Sequence, residues 1–100
     1  MQTNPVIRRV FAQIDEGQVH FRSAGTAGGT HLPLVMFHAS PGSAKILEPL
    51  ILALATDRMA IALDTLGNGD SVAPAPVAPD VAYYAGAHAR ALDEIGRAHV

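Results

Sequence analysis

Two short stretches of this 100-residue chain hold residue types whose spacing suits chemistry. The first is His38-Ala39-Ser40-Pro41-Gly42-Ser43, set between an apolar run and a helical pattern. Ligands in open α/β sheets bind outside the carboxyl ends of strands. Backbone N–H groups freed at such a turn aim fixed dipoles at a developing negative charge. Pro41 has no N–H, so the amide of Ser40 is the candidate oxyanion-hole donor, with its hydroxyl as a second candidate contact. His38 reads as a hydrogen-bonded loop anchor rather than a general base. Ser40 is not read as a nucleophile, because it lacks a glycine-flanked elbow and a histidine near it in sequence is no evidence of a base in reach. Ser43 reads as a helix cap.

The second stretch is Asp64-Thr65-Leu66-Gly67-Asn68-Gly69-Asp70-Ser71. Short polar side chains bond their own backbone in turns, so Asp64 reads as a loop anchor and Asp70 as a turn former rather than as a carboxylate pair. His20, on the polar side of an alternating segment, reads as solvated, and His88, on an apolar helical stripe, as a core or interface histidine. No two histidines have helical metal-ligand spacing, and neither a metal nor a cofactor is expected. Gly25, Gly28 and Gly29 lead into a strand-like run rather than a helix N-terminus, so they read as a plain loop and not as a phosphate cradle.

Alternation over residues 6–14, the break at Asp15-Glu16-Gly17, and renewed alternation of Val19, Phe21 and Ser23 with His20 and Arg22 predict a β-hairpin. Leu34-Val35-Met36-Phe37 and Met59-Ala60-Ile61-Ala62-Leu63 are unbroken apolar runs, as expected of strands covered on both faces. Between them Ile46, Leu47, Leu50, Ile51 and Leu54 fall at helical spacing. Pro49 requires that helix to begin later than Ser43 or to be irregular over its first turn. After Pro74, Pro76 and Pro79, Asp80 is placed to cap a helix whose stripe is Val81, Tyr84, Ala85, Ala89 and Leu92. Tyr83 and Tyr84 are adjacent, so at most one is expected on that stripe. The order is hairpin, strand, helix, strand, helix, an α/β arrangement with a mostly parallel sheet.

The first stretch resembles the H-G-x-P-G loop after the third strand of α/β-hydrolase-fold enzymes. The second is similar to the D-x-x-G-x-G-x-S loop after their fourth strand. The resemblance implies the amino-terminal part of an α/β-hydrolase domain over residues 1–94, an incomplete fold with an antiparallel hairpin leading into a mostly parallel sheet flanked by helices. It implies that His38 orients the loop, that the Ser40 amide contributes to the oxyanion hole, and that Gly67 and Gly69 permit tight turns. Ala39 stands where the family usually has glycine, which matters if the loop needs positive φ there. The nucleophile elbow, the acid and the catalytic histidine are not found in the chain.

Seven Lys and Arg against nine Asp and Glu, a formal charge of −2, give no basic face for nucleic acid. The absence of cysteine excludes disulfides and thiolate chemistry within these residues. No signal-like start and no long apolar run point to a membrane, and a cytoplasmic setting is the expectation. Residues 95–100, Ile95-Gly96-Arg97-Ala98-His99-Val100, read as the in-frame translation of a common sequencing-adapter oligonucleotide, so they are expected not to be native and His99 is given no role. The expected parent is a cofactor-independent hydrolase of about 250 to 300 residues that acts through a covalent intermediate on an ester or related small molecule. The alternatives are a lyase or ligand-binding protein of the same fold, and a small interaction module. Oligomeric state is not legible.

Overall fold

The structure, a computed structural model, describes residues 5–26 and 31–99. The start of the chain, residues 27–30 with Gly28 and Gly29 of the glycine-containing connection, and Val100 lie outside the described residues.

β1 (Arg8–Ile14) and β2 (Gly17–Ala24) pair antiparallel through the two-residue turn Asp15-Glu16. Gly17 follows that turn with φ +141°, a conformation that a side chain would strain. β3 (Leu34–Phe37) leads through a 3-10 turn (Ala44–Leu47) into α1 (Glu48–Leu54), and β4 (Ala60–Leu63) follows. The sheet order is β1-β2-β4-β3, with β4 antiparallel to β2 and parallel to β3. The hairpin therefore leads into the parallel pair through its second strand. Pro49 sits in the first turn of α1, where a missing N–H costs nothing, and the 3-10 turn accounts for the irregular start.

Side-chain parity divides the core into two layers. Val19, Phe21, Ile61 and Leu63 point to one face and pack with Ala87, Ala91 and Ile95 of α2 (Val81–His99). Ala24, Ala60 and Ala62 point to the other and pack with Ala44, Ile51 and Ala55. One helix thus covers each face, the layered solution open to a sheet that is apolar on both sides.

Four expectations about faces need correction. β2 has no polar side: it is an inner strand, and from Val19 to its end both faces are buried, including His20 and Arg22. β3 is not covered on both faces: Leu34 is 37% and Phe37 50% exposed, and among the described residues it is an edge strand paired with β4 alone. Over the 3-10 turn and α1 the buried positions are Ala44, Ile51 and the following Ala55, with Leu47 and Leu54 beside them, while Ile46 is 77% exposed. The tighter 3-10 winding turns Ile46 off the face that the α-helical period predicts, and Leu50 is 47% exposed at the margin of the α1 stripe. On α2 the core-facing line runs through Ala87, His88, Ala91 and Ile95, with Tyr83, Tyr84 and Leu92 flanking it. Val81 is 84% exposed and Ala85 and Ala89 face outward, so both tyrosines share the packed face. Asp80 caps the helix as expected, its carboxylate accepting the Tyr83 N–H at 2.8 Å.

Candidate functional site

The loops after β3 and β4 lie side by side at the carboxyl end of the parallel pair, and histidines hold them together. His38, buried just past β3, accepts the Thr65 N–H at Nε2 (3.1 Å) and lies 3.2 Å from the Thr65 hydroxyl. A backbone N–H can only donate, so Nε2 presents its lone pair and the ring proton sits on Nδ1. That Nδ1–H donates to the Ala39 carbonyl at 2.9 Å. Gly42 closes the other side of this carbonyl, where an added Cβ would stand 2.8 Å from the oxygen. The Ala39–Ser40 peptide is planar and trans, so fixing its carbonyl fixes the Ser40 N–H on the opposite side. Ser40 is exposed, and its N–H has no hydrogen-bond partner among the described residues. Ala39 has no positive φ, so the loop does not need a glycine there. Ser43 caps the 3-10 turn, its hydroxyl accepting the Lys45 N–H at 3.3 Å. A cleft of about 390 Å³ beside this loop is lined by Ala39, Pro41, Gly42, Ser43, Lys45 and Ile46.

Asp64 ties the same loops from beneath. Its fully buried carboxylate accepts the Ala44 N–H at 2.7 Å, the Asp70 N–H at 3.0 Å and the His20 Nδ1–H at 2.9 Å. Burial pushes this carboxyl up, but the Asp70 and Ala44 amides and the His20 ring outweigh burial and hold it below the usual carboxylate value. Gly69 takes φ +52° against it, so close that a Cβ would fall 2.2 Å from Oδ2. Gly67, at φ +81°, makes the other tight turn. Ser71 bridges strands: its hydroxyl donates to the Asp64 carbonyl at 2.6 Å and accepts the His20 N–H at 2.8 Å.

His20 is fully buried, which overturns its reading as a solvated residue. Arg9 donates Nε–H to His20 Nε2 at 3.2 Å and pairs with Asp70 at 2.5 Å. Arg22, on the same face of β2, donates to Glu48 at 2.8 Å, and its buried Nη1 lies 3.7 Å from Asp64 with no hydrogen bond. His20, Asp64 and Asp70 bring one potential ligand atom each within 4.8 Å of one another. The His20 nitrogens and the Asp64 oxygens are already spent on protein partners, so the cluster reads as a hydrogen-bond network. His88 reaches in from α2 and accepts the Leu66 N–H at Nε2 (3.1 Å). Burial, with His38 nearby, pushes its imidazole down toward the neutral form.

The fold is similar to that of several solved structures. Cfl2 from Burkholderia cenocepacia matches at 26% identity and a TM-score of 0.75, over 90% of this chain and 30% of its own. The epoxide hydrolase CorEH matches at 30% identity and 0.73, over 92% and 30%. The chain folds as the amino-terminal part of an α/β-hydrolase domain. The haloalkane dehalogenase DatA from Agrobacterium tumefaciens shares the fold at 22% identity, with a TM-score of 0.70 over 87% and 29%. No family model and no curated protein matches the chain. The chain spans about 30% of the length of the solved structures to which it is similar.

Within the α/β-hydrolase frame, the structure brings His38, Asp64, Gly67, Gly69 and Asp70 together in two adjoining loops, with Ser40 on their exposed side. Sequence reasoning missed His20 and Arg22 as buried partners of Asp64. The signal available was the pair His20 and Arg22, two apart and so on one face of the strand, in a chain whose second loop motif opens with Asp64. It also missed Glu16, which Arg90 holds with two bonds of 2.9 Å each and to which Tyr83 donates at 2.6 Å. Among the described residues no helix is long and apolar enough to cross a membrane.

Proposed function

We propose that this segment supplies the oxyanion-loop amide to a cofactor-independent hydrolase that works through a covalent intermediate on a small molecule. The nucleophile, its base and its acid come from chain beyond these residues. One peptide carries the reading. The Ala39 carbonyl is taken up by His38 and boxed in by Gly42, which leaves the Ser40 N–H pointing away and unpaired. A fixed, unpaired amide at the mouth of a parallel strand pair is what a developing oxyanion needs. His38 is the anchor that keeps this peptide from turning over.

The sequence alone points to an ester, and the likeness to an enzyme named an epoxide hydrolase sets an epoxide beside it. A carboxylate nucleophile that opens an epoxide becomes an ester of the enzyme. Hydrolysis of that ester passes through a tetrahedral oxyanion, as hydrolysis of a substrate ester does. One amide serves both chemistries, so activity screens should begin with epoxides and activated esters.

The gene, resequenced by an independent method, should depart from the adapter-like string at codon 95 and go on to encode a Gly-x-Ser-x-Gly elbow or its aspartate counterpart. Position 95 faces the core, so its native residue should be apolar. A locus that encodes Ile95 to Val100 followed by a stop would end the proposal. In the full-length protein, Ser40→Pro should cut turnover on the order of 10²- to 10³-fold, the scale of losing one oxyanion donor, while Ser40→Ala should do far less. Proline also restricts Ala39 before it, so thermal stability and binding of a ground-state analogue are compared across the variants. Equal damage from both substitutions, with stability and binding unchanged, would assign the role to the hydroxyl instead.

A further inference from the structure

We infer that His88 is a positioning residue for the Ser40 amide, acting through Leu66, Thr65 and His38. The inference rests on the oxyanion-loop reading above. Two consecutive amides of the turn after β4 are held by two imidazoles from different elements: Thr65 N–H by His38 and Leu66 N–H by His88. Each bond requires a lone pair on Nε2, so each ring must be neutral with its proton on Nδ1. In His38 this tautomer is the one that grips the Ala39 carbonyl. The proton that orients the Ser40 peptide is thus kept on Nδ1 by the Thr65 amide, and the Thr65 amide is kept in place by the turn that His88 pins.

Without the His88–Leu66 bond the turn can relax and the Thr65 amide can leave His38 Nε2. The His38 proton is then free to move to Nε2, and a bare Nδ1 lone pair repels the carbonyl it had held. Ser40 keeps its N–H but loses the direction of it. A protonated His88 has the same effect as a missing one, since an imidazolium has no acceptor. The groups facing His88 are the Tyr84 ring from its own helix, stacked at 6.1 Å, the Phe37 ring from β3 at 5.7 Å, the Leu66 N–H, and His38. None of these is a carboxylate that would hold a second proton on the ring. A neutral imidazole buried on a helix face also needs a reason to be there, because an apolar side chain would pack without a polar group to satisfy.

The test uses the full-length protein. Long-range ¹H–¹⁵N NMR at neutral pH should show His38 and His88 as neutral Nδ1–H tautomers. His88→Phe, which keeps an aromatic ring and removes the acceptor, should leave His38 in mixed tautomers and lower kcat by about 10- to 100-fold, the scale of misplacing a catalytic group by about 1 Å. KM should stay unchanged, because the amide acts in the transition state. His88→Gln, which restores an acceptor oxygen, should recover both the His38 tautomer and kcat. A wild-type His88 found as an imidazolium or an Nε2–H tautomer overturns the inference, even if the Phe variant does not fold. So does a folded His88→Phe protein with normal kcat and an unchanged His38. If Ser40→Pro leaves turnover intact, the oxyanion reading itself fails. If Ser40→Pro is damaging and His88→Phe is silent in both readouts, only the role of His88 fails.

Discussion

Gly69 and Gly67 both adopt positive φ, yet their neighbourhoods differ. At Gly69 a Cβ would collide with the Asp64 carboxylate, whereas at Gly67 the nearest atom to a Cβ is Pro74 Cδ at 3.3 Å. Gly67→Ala should therefore cost mainly the backbone strain, about 1 to 2 kcal/mol, with a small shift of the Pro74 ring. Gly69→Ala adds displacement of a buried carboxylate from two backbone amides, which leaves donors unsatisfied, for a total of about 2 to 5 kcal/mol. Urea unfolding of the two variants of the full-length protein checks this, and equal costs would show that Asp64 is not held against Gly69. The same carboxylate has a pH signature. Its folded-state value is depressed, so its contribution is present above the ordinary carboxylate value of about 3.9 and is lost as pH falls through the folded value.

At the scale of elements, α2 is docked on the hairpin turn by a three-residue clamp. Arg90 makes two bonds to the Glu16 carboxylate, and the Tyr83 hydroxyl donates to Glu16 while accepting the Ala75 N–H at 3.1 Å. The Arg90 guanidinium, with the Tyr83 hydroxyl, holds the Glu16 carboxyl down to about 2. Because this folded value is depressed, the clamp stabilises fully above the usual value of 4.5 and is lost as pH falls from there toward 2. Glu16→Gln should flatten the pH dependence of thermal stability over that window, and an unchanged acid limb would exclude the clamp as its source. The hairpin, the strand–helix–strand unit, the Asp80 cap and both loop motifs were legible in the sequence, because apolar period and turn residues act over a few neighbours. The burial of His20 and Arg22 was not. Alternation predicts two unlike faces, but it cannot tell an edge strand from an inner one, and β2 has strands on both sides. The outward turn of Ile46 was hidden for a related reason, since a period of 3.6 does not hold over a 3-10 segment. At the site, His38 and Ser40 were visible as a local string, whereas the roles of His88 and His20 depend on partners far away in sequence.

As a whole, the described residues present β3 as an edge with its apolar side chains half open. Leu34 and Phe37 are both exposed, and among the described residues the strand pairs with β4 alone. A parallel edge of this kind is stable when covered and a template for association when bare. Expressed by itself, the 100-residue polypeptide should associate or aggregate rather than unfold in one sharp transition. Dispersed amide NMR signals from a monomer with a cooperative thermal melt would contradict this, and would mean that the two-layer core is sufficient without further strands.

The link between Glu16 and Arg90 also sets a schedule. The two residues are 74 positions apart, and a ribosome adding about 5 to 20 residues per second needs roughly 4 to 15 seconds to deliver the second after the first. Through that interval the nascent hairpin carries a carboxylate with no guanidinium and an apolar face with no helix over it. The hairpin is therefore made well before α2 can secure it, so it is a segment that a chaperone would shield during synthesis. A stalled ribosome would expose the same surface to proteolysis.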